Sequence, residues 1–293
     1  MKNKLNTLII LVVFGTLVFV NYRYLSIKRT PELKVNAPAN VIETVKEVVP
    51  ATELLGKAEV SFAGGTEERN KNIELGVSKI NGKVIMPGEE FSFTKVLGPV
   101  TEEGGYSEAK VFLNGEVTKG LGGGLCQVST TLFQSLLKAG LPITERHNHS
   151  YTVSYYDVGL DATYSDPGPD LKFVNDTSNP ITIKGKTEDK KVVFEIYGVS
   201  DGRVASTSEA VVSDVVDFPP TRYVATTTKI RKDPDCMNTP QIGYTAKIIH
   251  EVIYPNGEIK SEDFVSKYKP LQRVCYFYAT STTAVYHNST NTN

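Results

Sequence analysis

The chain of 293 residues is poor in the side chains that carry most metal and redox chemistry: three cysteines, four histidines, three methionines and no tryptophan. It has no Cys-x-x-Cys pair and no His-Glu-x-x-His run, so the common spacing signals for a zinc site are missing. It also lacks an excess of either charge. Thirty-two basic residues face 33 acidic ones, a formal net charge of −1, which argues against a nucleic-acid-binding surface. No internal repeat is visible, which speaks against a solenoid or propeller. Beyond the first 25 residues no long hydrophobic run occurs, and composition and length fit one medium domain with a smaller one beside it.

The one long apolar run follows Met1-Lys2-Asn3-Lys4. It extends from Leu5 to Val20, broken by Asn6, Thr7 and Thr16, and Tyr22, Tyr24 and Leu25 continue it. Such a run is a signal-peptide core or a short membrane span. No small-x-small cleavage site follows in Asn21–Leu25, which favours an uncleaved signal anchor over residues 1–25 with the body of the chain outside the membrane. Lysines before the run and Arg23, Lys28 and Arg29 after it leave orientation open. Residues 26–57, with Pro31, Pro38 and Pro50, read as a stalk in which Val41 to Val49 can form a short helix. Residues 280–293, rich in Ser, Thr and Asn, read as a disordered tail.

The most informative stretch is Gly122-Gly123-Gly124-Leu125-Cys126-Gln127-Val128-Ser129-Thr130. From it, apolar residues recur at Val128, Leu132, Leu136 and Ala139, widened by Phe133 and Leu137, and Gly140 and Pro142 are stop signals. The spacing predicts a buried helix with Cys126 at its N-terminus. Free N–H groups and the positive dipole end there lower a thiol's pKa. Read alone, Cys126 is either such a reactive thiol or a small buried hydrophobe.

Arg146-His147-Asn148-His149-Ser150-Tyr151-Thr152-Val153 reads as a strand, which would put His147 and His149 on one face. A cysteine at a helix start with a histidine on a nearby strand is the arrangement of cysteine acyl-transfer enzymes, in which imidazole takes the thiol proton and a third group orients it. A surface His-x-His is the bland alternative. A zinc site of Cys126, His147 and His149 is a third reading, without supporting spacing. Cys236 and Cys275 flank a β-rich C-terminal region and can pair, which would leave Cys126 unpaired in an exported chain.

The remaining pattern is mostly strands and turns. Glu67 to Ile80 is an amphipathic helix with Ile73, Val77 and Ile80 on one face. Expected strands are Glu90 to Phe93, Phe173 to Asn175, Ile181 to Lys184 and Val192 to Tyr197. Hairpins are expected around Asn114-Gly115 and through Pro255-Asn256-Gly257, the latter joining Tyr244–Tyr254 to Glu258–Phe264. The fold class is α+β: mostly antiparallel β with a buried helix following the cysteine, plus a small β-rich C-terminal module over 201–279.

Six ordered blocks between Ser61 and Tyr197 carry a resemblance. They are Asn72-Ile73, Pro87-Gly88-Glu89-Glu90-Phe91-Ser92-Phe93, the Gly122–Thr130 run, Glu145–Ser150, Gly159-Leu160-Asp161-Ala162-Thr163, and Pro169-Asp170-Leu171-Lys172-Phe173-Val174-Asn175. Residues 58–200 resemble the VanW family; the part after Gly198 is somewhat like a G5 domain. The resemblance implies a bacterial cell-membrane protein with an extracytoplasmic domain that cross-links peptidoglycan as a cysteine L,D-transpeptidase, or alternatively a non-catalytic wall-binding resistance accessory or a peptidase trimming stem peptides. It implies Cys126 as nucleophile and His149, ahead of His147, as base. Asp161 or Asp170 would orient the imidazole or cap a turn, and backbone N–H groups of Gly124, Leu125 and Cys126 would form the oxyanion hole. Gly123, Gly124, Gln127, Thr130, Arg146, Ser150 and Asp170 are the candidate substrate-binding positions. Arg146 has an ion pair, and Gln127 and Thr130 a helix cap, as structural alternatives. No cofactor or metal is expected. The expected partners are peptidoglycan stem peptides and, through the N-terminal segment, the membrane; oligomeric state is left open.

Overall fold

The computed structural model describes residues 52–113, 116–230 and 234–280. The expected anchor, most of the stalk, the Asn114-Gly115 turn and nearly all of the tail lie outside the described residues. The N-terminal half runs β1 (Glu53–Ser61), α1 (Glu67–Ile80), β2 (Lys83–Ile85), β3 (Glu90–Ser92), α2 (Phe93–Leu97), β4 (Glu108–Leu113), β5 (Glu116–Leu121) and α3 (Leu125–Lys138). It continues with β6 (Ile143–Glu145), β7 (Lys172–Val174), β8 (Ile181–Glu188) and β9 (Lys191–Gly198). The C-terminal strands are β10 (Val204–Thr207), β11 (Val211–Val216), β12 (Arg222–Thr226), β13 (Asp235–Cys236), β14 (Gly243–Ile253), β15 (Ile259–Tyr268) and β16 (Val274–Tyr278). The fold is α+β with antiparallel sheets dominant; β12 beside β16 is a parallel pair.

The central sheet has the order β1-β9-β8-β2, and α1 and α3 lie against it. Helix α1 has the expected bounds because Thr66 caps it, accepting from the Arg69 N–H at 3.4 Å, and Glu67 and Glu68 meet the positive dipole end. Helix α3 buries Val128, Leu132, Phe133 and Leu136 completely, contributing roughly 1.5–3 kcal/mol each. Its buried hydroxyls are satisfied locally, Thr131 Oγ1 donating to the Gln127 carbonyl at 2.7 Å and Ser135 Oγ to that of Leu132 at 2.7 Å. Gly56 lets β1 come this close: a Cβ there would stand 2.4 Å from the Ser135 carbonyl oxygen. Because β1 pairs along β9 from Glu53, the folded domain starts inside the stretch read as stalk to residue 57.

The hairpin strands β4 and β5 and the long pair β14–β15 across Pro255-Asn256-Gly257 follow the turn signals. Phe93 opens α2 instead of extending β3, because Ser92 Oγ accepts from the Lys95 N–H as its cap. Around β14, β15 lies along one edge and β10 and β11 share the other. This sheet packs on the first domain: buried His250 on β14 lies 2.9 Å from the Leu137 carbonyl at the end of α3, and Phe264 on β15 meets Phe133 edge-on. Cys236 and Cys275 sit opposite each other on β13 and β16 and form a disulfide, so Cys126 is the free cysteine.

Candidate active site

Cys126 occupies the second residue of α3. Gly124 precedes the helix at φ +115°, a conformation that L side chains avoid, and a Cβ there would lie 2.8 Å from Ile73 Cγ1. The glycine therefore allows both the turn and the close seat of the helix start on α1. Gly123 is equally crowded, and its carbonyl accepts from Asn72 Nδ2 at 3.1 Å. The Leu125 N–H donates to Gly122 and that of Gln127 to Gly124. The Cys126 N–H has no backbone acceptor among the described residues, as expected for a first-turn donor.

The Cys126 thiol faces the loop 159–164. Its Sγ lies 3.6 Å from Thr163 Oγ1 and donates to the Tyr164 carbonyl at 3.4 Å. Two hydroxyls of α3 pin this loop through one carbonyl: Ser129 Oγ and Thr130 Oγ1 donate to Ala162 O at 2.6 and 3.0 Å. Thr130 also accepts from the Ala162 N–H. Thr130 thus positions the loop rather than facing open space.

The charge of the His149 ring acts on the thiol. The ring Nδ1 is 2.6 Å from Asp161 Oδ2, which also accepts from the His149 backbone N–H at 2.6 Å. The other carboxylate oxygen accepts from Tyr268 Oη at 2.5 Å and from Arg146 Nη2 at 3.3 Å. Cys126, His149 and Asp161 thus stand in the order that a nucleophile, its base and an orienting carboxylate would take. Burial opposes ionisation of the thiol, but hydrogen bonding and charge attraction from His149 outweigh it, and its pKa falls below the ordinary value. Burial likewise opposes the imidazolium, yet the bonds to Asp161 and Cys126 push His149 up to about 9.

His147 is elsewhere. The segment after Glu145 is not a strand, because β7 starts at Lys172 opposite Glu145 and leaves the ladder no partner beyond it. His147 is exposed beside Glu145, with Nε2 to Oε1 at 3.3 Å. It does not share a face with His149, so Cys126, His147 and His149 do not converge as ligands. Among the described residues no group of three or more His, Cys, Asp or Glu side chains could hold a metal ion.

Arg146 is the structural alternative: its side chain is 4% exposed and donates to the carbonyls of Asp161 and Gly159, to Ser266 Oγ and to the Asp161 carboxylate. Asp170 accepts from Ser92 Oγ and the Thr94 N–H and so secures the start of α2, away from the thiol. Gln127 is buried, donating to Ser61 O at 2.8 Å and accepting from Arg69 Nη2 at 2.7 Å. Ser150 is exposed; its carbonyl accepts from the Lys269 N–H. It lines, with His149, Tyr155, Thr163, Gln241 and Lys269, an open cavity of about 620 Å³ beside the imidazole.

Arg69, Tyr155, Thr163 and Tyr268 were invisible as site residues in the sequence. Tyr155 Oη stands 3.4 Å from His149 Nε2, and Tyr268 arrives from β15, 107 positions beyond Asp161. The blocks Asn72-Ile73 and Gly159–Thr163 hinted at the frame, since Asn72 holds Gly123 and the 159–163 loop holds the orienting carboxylate.

Residues 68–197 match the family model described as "VanW like protein". The chain is 39% identical over 147 residues to "Uncharacterized protein YoaR" of Bacillus subtilis (strain 168), an alignment spanning 50% of this chain and 48% of that protein. It is 32% identical over 136 residues to "Vancomycin B-type resistance protein VanW" of Enterococcus faecalis (strain ATCC 700802 / V583), spanning 45% of this chain and 50% of that protein. The chain spans about half the length of the curated relatives it matches.

Proposed function

We propose that this chain, which belongs to the VanW family through residues 68–197, is an extracytoplasmic cell-wall enzyme, a cysteine acyltransferase of L,D-transpeptidase type acting on peptidoglycan stem peptides. A relative bearing a vancomycin-resistance name supports the cell-wall setting. The observation that carries the chemistry is His149, whose Nδ1 is 2.6 Å from buried Asp161 and whose charge acts on the Cys126 thiol at the start of α3. A wall-binding module has no use for that series.

The Cys126 thiolate attacks the carbonyl carbon of the donor stem's third residue. The C–S bond forms as the carbonyl oxygen takes the charge, and the Cys126 N–H is the donor placed for it; one such donor is worth about 10²–10³ in rate. His149 then gives its proton to the leaving amine as the C–N bond breaks, releasing the terminal D-amino acid and leaving a thioester. An amine of a neighbouring stem attacks the thioester, His149 takes its proton, and the thiolate departs, giving a 3–3 cross-link. Asp161 keeps Nδ1 protonated and leaves Nε2 as the nitrogen that exchanges the proton.

The Cys236–Cys275 disulfide supports an oxidising compartment. Attachment to the bacterial membrane rests on residues 1–25, outside the described residues; within those, no helix is long and apolar enough to cross a membrane.

The test is mass spectrometry of residues 30–293 with tetrapeptide-stem muropeptides. An adduct on the Cys126 peptide together with 3–3 dimers is the expected result. An adduct with only shortened stems would make the protein a peptidase. Retention on sacculi with neither adduct nor dimer would leave a binding module and end the enzymatic reading.

Tyr268 tests the contribution of the C-terminal sheet. Its hydroxyl donates to Asp161 and accepts from the Gly159 N–H, so it acts through Asp161 as a positioning residue. Tyr268→Phe should lower kcat roughly tenfold, the loss expected for one charge-assisted hydrogen bond, with KM little changed. Without that donor more of the carboxylate's charge falls on His149, so the alkaline limb of the pH–rate profile should move upward. An unmoved limb would reduce Tyr268 to packing.

A further inference from the structure

The structure assigns a carboxylate-binding group to the nucleophile's flank: we propose that Arg69 binds the free C-terminal carboxylate of the donor peptide's leaving residue. This rests on the acyl-transfer reading and names its substrate more closely.

The arginines withdrawn from the surface differ in their partners. Arg146 and Arg203 are saturated with acceptors: Arg146 by Asp161, two carbonyls and Ser266, and Arg203 by Asp176, Asp201 and the Gly140 carbonyl. Arg69 is half-buried too, yet its guanidinium makes one side-chain bond, to the neutral amide oxygen of Gln127 at 2.7 Å. No carboxylate reaches it among the described residues. A half-buried guanidinium with no carboxylate partner gains when an anion arrives. Burial accordingly draws its pKa down, and the groups whose charge acts on it are Tyr155 and Cys126.

Its position is fixed. Gln127 follows the nucleophile directly, and its own Nε2 is tied to Ser61 O, so the amide oxygen is held toward α1. The Arg69 stem lies over the turn into α3, with Cγ 3.2 Å from where a Gly124 Cβ would stand. One nitrogen is bound to Gln127 and the remaining donors of the planar fork are uncommitted, a geometry suited to a carboxylate. In a peptide attacked at its penultimate carbonyl, the terminal carboxylate is only one Cα away from the scissile nitrogen. A cation at the turn into α3, bound to the residue after Cys126, therefore selects chains that end there and rejects extended or amidated ones.

The experiment uses a tetrapeptide stem ending in D-alanine and the same peptide as its C-terminal carboxamide. Wild-type protein should form the Cys126 thioester from the acid at least about tenfold more efficiently than from the amide, and Arg69→Ala should raise KM for the acid about 10- to 100-fold and erase the preference. Arg69→Lys should keep part of it. A second readout separates this proposal from the enzymatic one: protection of Cys126 from iodoacetamide by each peptide. If no thioester forms but the acid alone protects, and Arg69→Ala abolishes that protection, the carboxylate site stands and acyl transfer falls. If wild type is acylated or protected equally by acid and amide, the Arg69 assignment is overturned whatever the turnover. Thermal melting of both variants checks that they are folded.

Discussion

Replacing Cys126 with alanine is expected to abolish thioester formation and cross-linking while leaving the fold in place. Loss of the nucleophile removes the whole covalent route, so the rate should fall about 10⁶-fold. The fold should tolerate the change because Sγ makes only weak contacts, to Thr163 Oγ1 and the Tyr164 carbonyl, and the helix start is set by Gly124 and the bonds from Leu125 and Gln127. Alanine is also the best helix former. A melting shift of no more than a few degrees is expected. Cross-linking that survives in the alanine variant would remove Cys126 from the chemistry.

The same pair sets the pH dependence. The Cys126 pKa is lowered and that of His149 raised to about 9, each charge favouring the other. Alkylation of Cys126 by iodoacetamide should therefore stay fast well below the ordinary thiol range, where a normal thiol loses about tenfold per pH unit. Acylation by a peptide should decline above about 9, because His149 then lacks the proton that the leaving amine needs. In the wild-type protein His149 is a raised group, and the alanine variant keeps only the Asp161 part of that rise against burial. A raised group of this kind stabilises the folded state fully below its unfolded value of 6.5, and that stability is lost as pH rises through the folded value.

What the sequence disclosed was local. The spacing Val128, Leu132, Leu136 specified α3 and put Cys126 at its start, because a buried stripe must repeat with the helix period. The turn Pro255-Asn256-Gly257 specified β14–β15 for an equally local reason. The strand read over Arg146–Val153 failed because alternation alone does not show whether a partner strand extends that far; here it stops at Lys172. Arg146, Gln127 and Thr130 stood next to the chemistry in sequence, but what each side chain bonds depends on distant segments: Gly159–Asp161, Ser61 with Arg69, and Ala162. The supports of the site come from farther still. Tyr268 and Ser266 belong to a sheet read as an accessory module, yet they meet Asp161 and Arg146 directly. The last resemblance block ends at Asn175 and the resembling segment near Tyr197, so nothing in them points to β15.

Asp161→Asn should have the largest combined effect on activity and stability. The carboxylate is 1% exposed and spends its acceptor capacity on four donors: the His149 backbone N–H, His149 Nδ1, Tyr268 Oη and Arg146 Nη2. An amide of the same size has one oxygen. If that oxygen faces His149, the new NH₂ group points at a buried guanidinium and at a hydroxyl already holding the Gly159 N–H. If the NH₂ faces His149, it opposes the backbone N–H and forces Nδ1 to accept, leaving the proton on Nε2 where the thiol must deliver its own. Either way a donor meets a donor. The wrong tautomer alone costs about 10⁴-fold in a comparable triad, and a buried cation stripped of its counter-ion costs about 3–5 kcal/mol. That corresponds to a melting point lower by roughly 6–20 °C for a domain of this size. The two losses separate in a double variant. Asp161→Asn with Arg146→Met removes the stranded charge and should recover much of the melting point, yet acylation should stay as low as in the single variant, because nothing restores the imidazole's partner. Acylation within about tenfold of wild type in the folded Asp161→Asn protein would show that His149 needs no orienting carboxylate. An unchanged melting point would show that Arg146 is adequately neutralised by the carbonyls of Asp161 and Gly159 and by Ser266 alone.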